Sequence, residues 1–168
     1  IKALFDKFLA IFLLIVLMPF FILIMILISI LIEYPPFFVH NRVGKDLKVF
    51  RFIKFKNLLS EYDANNIELQ MNDRITPFGS FMRKYSIDEL PQVINILKGE
   101  VSFIGPRPLE PMYLPIYSKL QSRRHDVLPG ITGLAQVNGR NISTYTKRFK
   151  YDLYYVKYNN ICMDIYII

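Results

Sequence analysis

Two adjacent carboxylates, Asp88 and Glu89, stand where a helical pattern begins, with Arg83 just upstream and Arg107 on a proline-flanked loop downstream. Acidic residues at helix starts ordinarily serve as caps. Neighbouring residues on a helix point about 100° apart, so these two can serve different partners. One could attack an electrophile while the other holds a hard metal ion. The two arginines offer planar, permanently charged forks of the kind that clamp phosphates.

The elements that must present these groups can be read around them. Leu90, Val93, Ile94 and Leu97 recur at helical spacing, and Lys98-Gly99 closes the pattern. Two starts fit. Ser86 and Glu89 form the Ser-x-x-Glu pattern of a capping box, which starts the helix at Ile87 and leaves Pro91 a turn inside. Asp88 as N-cap instead puts Pro91 in the first turn, where proline is well tolerated. Either start sets Asp88 beside the positive end of a helix, which favours its ionised form. Upstream, Arg74-Ile75-Thr76-Pro77-Phe78-Gly79 leads into a short amphipathic helix ending at Arg83, with Phe78, Phe81 and Met82 as packing residues. Downstream, Val101 to Ile104 reads as a short buried strand, and Gly105-Pro106-Arg107-Pro108 as a stiff loop. An arginine held that way loses less entropy on binding a phosphate.

With 168 residues the chain has room for one compact domain and an anchor. It is 52% hydrophobic yet carries a formal charge of +7, and the apolar surplus sits in one block, Phe8 to Ile32, without a charge. As a helix this block is long enough to cross a hydrocarbon core of ~30 Å. No cleavable secretory signal is visible. Pro19 near its middle would bend the helix. Lys2 and Lys7 precede the block and a basic segment follows it, so the positive-inside tendency holds both ends in the cytoplasm. From the residues alone, a single span and a re-entrant helix both remain open.

After Tyr34-Pro35-Pro36, Phe37-Phe38-Val39 and Val49-Phe50-Arg51-Phe52 read as a hairpin around Gly44-Lys45-Asp46. Six cations, Arg42, Lys45, Lys48, Arg51, Lys54 and Lys56, face Asp46 alone in this stretch. Interleaved aromatics resemble a nucleic-acid patch, but beside a membrane helix the stronger reading is attraction to anionic lipid and phosphate-bearing substrates. Residues 60–73 are polar and carry no defensible chemistry. Pro111 to Ser122 reads as a helix, and a final helix runs from about Ser143 to Tyr158 with Phe149, Leu153 and Val156 inward. Asp152 and Tyr155 read as structural. His40 and His125 lack ligand spacing and are assigned neither metal nor base roles. The single cysteine, Cys162, forms no internal disulfide and suits a reducing compartment.

Several motifs occur together and in order: Ser86-Ile87-Asp88-Glu89-Leu90-Pro91-Gln92, Asn95-Ile96-Leu97-Lys98-Gly99, Ser102-Phe103-Ile104-Gly105-Pro106-Arg107-Pro108 and Pro129-Gly130-Ile131-Thr132-Gly133. With them the chain, from about Lys2 to Asp164, resembles the bacterial sugar transferase family, monotopic phosphoglycosyl transferases that start polyprenyl-linked glycan assembly. The resemblance implies transfer of a sugar 1-phosphate from a UDP-sugar to a polyprenyl phosphate, with release of UMP. It implies Asp88 as nucleophile and Glu89 as ligand to Mg²⁺. Lys54, Arg83, Arg107 and Arg140 are then the cations that neutralise diphosphate charge. Three departures stand out. Met18-Pro19 replaces the family's Ser-Pro, Asn57 replaces a hydroxyl residue, and Leu128 replaces an arginine. The family usually continues past Ile168, and this chain opens on isoleucine, so both ends are expected to be trimmed.

The fold expected is α+β, mostly α. Residues 1–33 form a re-entrant membrane helix, and residues 34–168 a cytoplasmic catalytic domain with a short β-hairpin. The expected partners are a UDP-sugar, a polyprenyl (undecaprenyl) phosphate and membrane lipid, with no nucleic acid, at the inner face of the bacterial plasma membrane. The products would feed capsule, exopolysaccharide, O-antigen or glycoprotein glycan synthesis. Two other readings are carried beside this one: an inactive family member acting as a scaffold, and a membrane-anchored basic module binding anionic lipid or nucleic acid.

Overall fold

A computed structural model of the chain describes residues 2–62, 65–139 and 144–168. The architecture is mostly helical, with two small two-stranded sheets among the described residues. Helix α1 runs from Lys2 to Leu31, starting well before the uncharged block. It continues on both sides of Pro19, which has no N–H to return to the preceding turn. It is long and apolar enough to cross a membrane. Its apolar side chains stay uncovered over most of its length, Phe8 being 73% exposed and Ile15 68%.

Strands β1 (Phe37–Val43) and β2 (Val49–Phe55) pair as the expected hairpin, each longer than the alternating apolar residues suggested. Gly44 N–H donates to Lys48 O at the turn, and Lys56 N–H to Pro36 O at the open end. By internal contacts the chain then divides into two compact units.

One unit comprises Leu9–His40 and Ile53–Ile94. Phe21, Ile24 and Ile28 lie on one face of α1 and are buried, as are Phe55 and Met82. Phe55 packs its ring 5.6 Å from Phe21 and 5.5 Å from Phe37. Helix α2 spans Pro77–Lys84, capped by Thr76, whose Oγ1 accepts from Gly79 N–H at 3.0 Å. Of its expected packing residues only Met82 is fully buried, while Phe81 is half exposed and stacks on Phe78. Glu33, just beyond α1, accepts from Ser60 Oγ at 2.6 Å and pairs with Lys56 at 3.3 Å.

The other unit comprises Ile1–Phe8, Asn41–Phe52 and Asn95–Ile168. Helix α3 (Gln92–Lys98) enters it from the first and stops at Gly99, as expected. Strand β3 (Ser102–Ile104) pairs in parallel with β4 (Gly130–Thr132), Ser102 opposite Gly130 and Ile104 opposite Thr132. The pairing requires glycine at its edge. A Cβ on Gly105 would meet the Leu128 carbonyl at 2.4 Å, and one on Gly130 would run into Gly105 N. Between the strands, Pro111–Ile116 forms a 3₁₀ segment and only Lys119–Ser122 an α-helix (α4), so the single helix expected there is interrupted. Pro115 and the extended Tyr117 and Ser118 account for the break, with Ser118 opening α4 through a capping box to Gln121.

Helix α5 covers Leu134–Val137, α6 Tyr145–Tyr158 and α7 Ile161–Ile167. The inward face of α6 differs from expectation. Asp152 and Tyr155 are the buried residues, whereas Phe149, Leu153 and Val156 are half-buried. Tyr155 belongs to a core cluster with Ile104, Leu134 and Ile167. Its hydroxyl donates to Asp164 at 2.7 Å, and the Lys2 ammonium meets the same pair at 2.6 and 2.7 Å while also donating to Ile104 O at 3.0 Å. Ser102 Oγ donates to Asp6 at 2.7 Å. The first turns of α1 are thus tied to this unit by polar side chains.

Candidate active site

The two carboxylates sit in a 3₁₀ turn, Ile87–Glu89, that precedes α3. Neither expected helix start is formed. Ser86 takes a left-handed conformation (φ 57°, ψ 24°) and makes no side-chain cap bond, so there is no capping box. Asp88 is inside the turn, and α3 begins only after Pro91, whose missing N–H suits a position ahead of the helix. The backbone closes the turn with Glu89 N–H to Ser86 O and Leu90 N–H to Ile87 O, each at 3.1 Å.

Both carboxylates are buried, Asp88 at 5% and Glu89 at 8% exposure. Lys54, near the end of β2, reaches them: its Nζ lies 2.7 Å from Glu89 Oε1 and 3.6 Å from Asp88 Oδ2. Asn57 donates its side-chain amide to the same Asp88 Oδ2 at 3.0 Å. Arg83, in the last turn of α2, is exposed and acts on Asp88 through its charge. Burial pushes the Asp88 carboxyl above its ordinary value, further than Lys54 draws it back, and the Glu89 charge adds to the rise. The ease of ionisation expected from a helix N-terminus is therefore reversed by desolvation. Holding Asp88 as a carboxylate falls to Lys54, Arg83 and the Asn57 amide.

Of the expected site residues, one unit thus gathers Lys54, Asp88 and Glu89, with Arg83 near Asp88. Arg107 belongs to the other unit and is half-buried. Its carbonyl accepts from Arg124 Nη2 at 2.7 Å, and Arg124 also binds Asp152 Oδ2 through Nη2 at 2.7 Å and Nε at 3.1 Å. Arg42, paired with Glu110 at 3.0 Å, adds positive charge beside Arg107. Arg140 lies outside the described residues. Two residues the sequence reading passed over are Asn57, set down as a lost hydroxyl, and Arg124, which stands in what looks like a surface run, Arg123-Arg124-His125. The burial of Arg124 and the bond from Asn57 to Asp88 reveal their roles.

Among the described residues no cluster of three or more His, Cys, Asp or Glu side chains forms. The donor set at Asp88 and Glu89 is two neighbouring carboxylates, hard oxygen ligands. That suits an ion such as Mg²⁺, which takes one or two carboxylates and completes its shell with substrate oxygens and water. The residues present fit that partial role.

Two buried neighbouring carboxylates engaged by one lysine, in a chain with a long apolar helix, suit an enzyme that handles anions at a membrane. The sequence profile of the bacterial sugar transferase family matches residues 1–168. The chain is 42% identical over 168 residues to the sugar transferase EpsL of Bacillus subtilis, covering 100% of this chain and 83% of that protein. It is 35% identical to the exopolysaccharide production protein ExoY of Sinorhizobium fredii, over 99% of this chain and 81% of that one. A UDP-glucose:undecaprenyl-phosphate glucose-1-phosphate transferase of Xanthomonas campestris is 40% identical over 99% of this chain, which spans 37% of that longer protein. The chain belongs to the bacterial sugar transferase family.

Proposed function

We propose that this protein transfers a sugar 1-phosphate from a UDP-sugar to undecaprenyl phosphate, releasing UMP, as an early membrane step of exopolysaccharide or capsule-type glycan synthesis. The names of relatives support the donor and acceptor classes. The observation that carries the mechanism is the buried Asp88 carboxylate, held at Oδ2 by Asn57 and Lys54 beside a Glu89 already engaged by Lys54.

Asp88 attacks the phosphorus that bears the sugar. The bond from that phosphorus to the bridging oxygen breaks, UMP departs with the electron pair, and an acyl phosphate joins Asp88 to the phosphosugar. A phosphate oxygen of the polyprenyl phosphate then attacks the same phosphorus and frees the carboxylate. Lys54 balances the two carboxylates at rest and is placed to meet phosphate oxygens as charge builds. Mg²⁺, when bound, would be held by Glu89 with diphosphate oxygens and would offset charge on the leaving group. Arg83, in the same unit as Asp88, supplies a further cation for the diphosphate; Arg107 and Arg140 are assigned to it by the family resemblance alone.

The lipid acceptor places the reaction at a membrane surface, and α1 supplies the anchor. Both ends of α1 are tied to polar chain: Lys2 to Asp164 and Tyr155, and Glu33, two residues past its end, to Ser60 and Lys56. Lys2 and Lys7 ahead of the uncharged block and the basic segment after it favour cytoplasmic placement of both flanks. Pro19 inside α1 offers a site for a bend. These support the re-entrant reading with the catalytic residues on the cytoplasmic side.

The test is a UMP-release assay with a panel of UDP-sugars. Purified protein with Mg²⁺ and donor alone should release close to one UMP per active site and stop, and steady-state plots at several acceptor levels should be parallel. Asp88→Asn should abolish both the burst and the covalent adduct while leaving the protein folded. Intersecting lines without a burst, from active protein, would remove the covalent intermediate.

A further inference from the structure

The side-chain amide of Asn57 is bonded to the proposed nucleophile, Asp88, at 3.0 Å. We infer that Asn57 is a positioning residue, which fixes the rotation of the Asp88 carboxylate through Oδ2 so that the carboxylate meets phosphorus in line. This rests on the reading of Asp88 as nucleophile.

Three features make Asn57 a rigid support. Its side chain is half-buried, and Nδ2 donates to Asp88 Oδ2 at 3.0 Å, where Lys54 also approaches at 3.6 Å. The Asn57 bond is the directional contact that fixes the rotation of the carboxylate, whereas Lys54, hydrogen-bonded to Glu89, reaches Asp88 through charge and not through a hydrogen bond. The chain just after Asn57 is pinned. Leu58 bridges to Ile75, Leu59 N–H donates to Arg74 O at 3.0 Å, and Arg74 Nε returns a bond to Leu59 O at 3.0 Å. From the other side, α2 lies directly on the Asn57 backbone at Gly79. A Cβ there would run into the Asn57 carbonyl and come within 2.9 Å of its carbon. Only glycine permits this approach, so α2, which also carries Arg83, sets where Asn57 sits.

The two roles open to Asn57, filling space and orienting the carboxylate, differ in what they do to the first half-reaction. In that step the bond from Asp88 oxygen to phosphorus forms as the bond from phosphorus to the bridging oxygen breaks, and UMP leaves with the electron pair. An orienting bond acts on the rate of this step and leaves donor affinity nearly alone.

The experiment is single-turnover UMP release in detergent without acceptor, using the full chain, Mg²⁺ and whichever of a panel of UDP-sugars the wild-type protein consumes. Asn57→Leu keeps the branched heavy-atom shape and removes the donor. It should slow the burst by about tenfold to a hundredfold, the range for losing a hydrogen bond to a charged group, with donor affinity within about twofold. Asn57→Ser and Asn57→Thr should recover most of the rate by donating a hydroxyl proton to the same oxygen. Gly79→Ala, which touches no substrate, should slow the burst like Asn57→Leu. If Asn57→Leu does not fold, the contrast between Asn57→Ser and Asn57→Ala decides. A burst of wild-type rate in Asn57→Leu, or a loss that neither hydroxyl variant recovers in folded protein, would overturn the inference. A wild-type protein that turns over rapidly without any burst would instead sink the nucleophile reading, and this inference with it.

Discussion

Arg124 joins two parts of its unit through one buried guanidinium, and replacing it with methionine makes a quantitative test. In Arg124→Met, Asp152 loses its ion-pair partner at 2.7 Å and the Arg107 carbonyl loses its donor at 2.7 Å. The Arg124 and Asp152 side chains are only 3% and 5% exposed, so water cannot replace the lost partner. Burial already pushes the Asp152 carboxyl above its ordinary value against the pull of Arg124, so an orphaned Asp152 takes up a proton. Protonating an acid of ordinary pKa at pH 7 costs up to about 4 kcal/mol, and the unsatisfied carbonyl adds about 1 kcal/mol. At about 2–4 °C per kcal/mol for a chain of this size, the melting midpoint should fall by about 10–20 °C. The sign with pH follows from the raised folded-state pKa. The penalty is full where the unfolded acid is ionised and shrinks toward acid, to about 1.5 kcal/mol for the proton at pH 5. Arg124→Met with Asp152→Leu removes both charges and should recover all but the carbonyl contribution. Circular dichroism melts in detergent at pH 7 and pH 5 would measure all three proteins. A single variant that melts within about 3 °C of wild type at pH 7, or a double variant no better than the single, would refute the reasoning.

Burial and the neighbouring Arg124 charge hold His125 neutral, its pKa pushed down to about 4, with Nδ1–H donating to Gly44 O at 3.1 Å. Its contribution to stability is present above its unfolded value near 6.5 and is lost as pH falls toward 4, about 3 kcal/mol in all. His125→Asn keeps a donor without titrating, so its melting midpoint should fall less than wild type between pH 7 and pH 4. For the anchor, tags placed ahead of Lys2 and after Glu33 should both be reached from the cytoplasm, and Lys2→Leu with Asp6→Leu should carry a fraction of N-termini across. An unaltered N-terminus found outside would leave a single span.

What the sequence disclosed and what it hid divide along sequence distance. Asp88 and Glu89 were legible as a pair because their meaning lies in adjacency, and β1–β2 because a hairpin is local. The stop at Gly99 was legible for the same reason. The start of α3 was misread because two local rules competed, and neither registers a left-handed Ser86 ahead of a 3₁₀ turn. Asn57 and Asp88 are 31 residues apart, and Arg124 and Asp152 are 28 apart. No periodicity encodes such pairings, so Asn57 looked like a defect and Arg124 like solvent-exposed charge. The inward face of α6 was misassigned because a polar residue on a helix is taken as outward unless its partner is known.

The bond between Lys2 and Asp164 spans 162 residues of chain and so has a history in time. At about 5–20 residues per second, roughly 10–30 s of synthesis separate the two ends. Over that interval α1 is available to lipid while its partners arrive in order, Ser102 coming 96 residues after Asp6, and Tyr155 and Asp164 153 and 162 residues after Lys2. The anchor can therefore meet the bilayer before anything holds its first turn. The Lys2–Asp164 bond then closes the arrangement, a clasp fastened long after α1 was made. Chains interrupted before Asp164 would keep the Asp6–Ser102 bond but lack the carboxylate that pairs with the Lys2 ammonium.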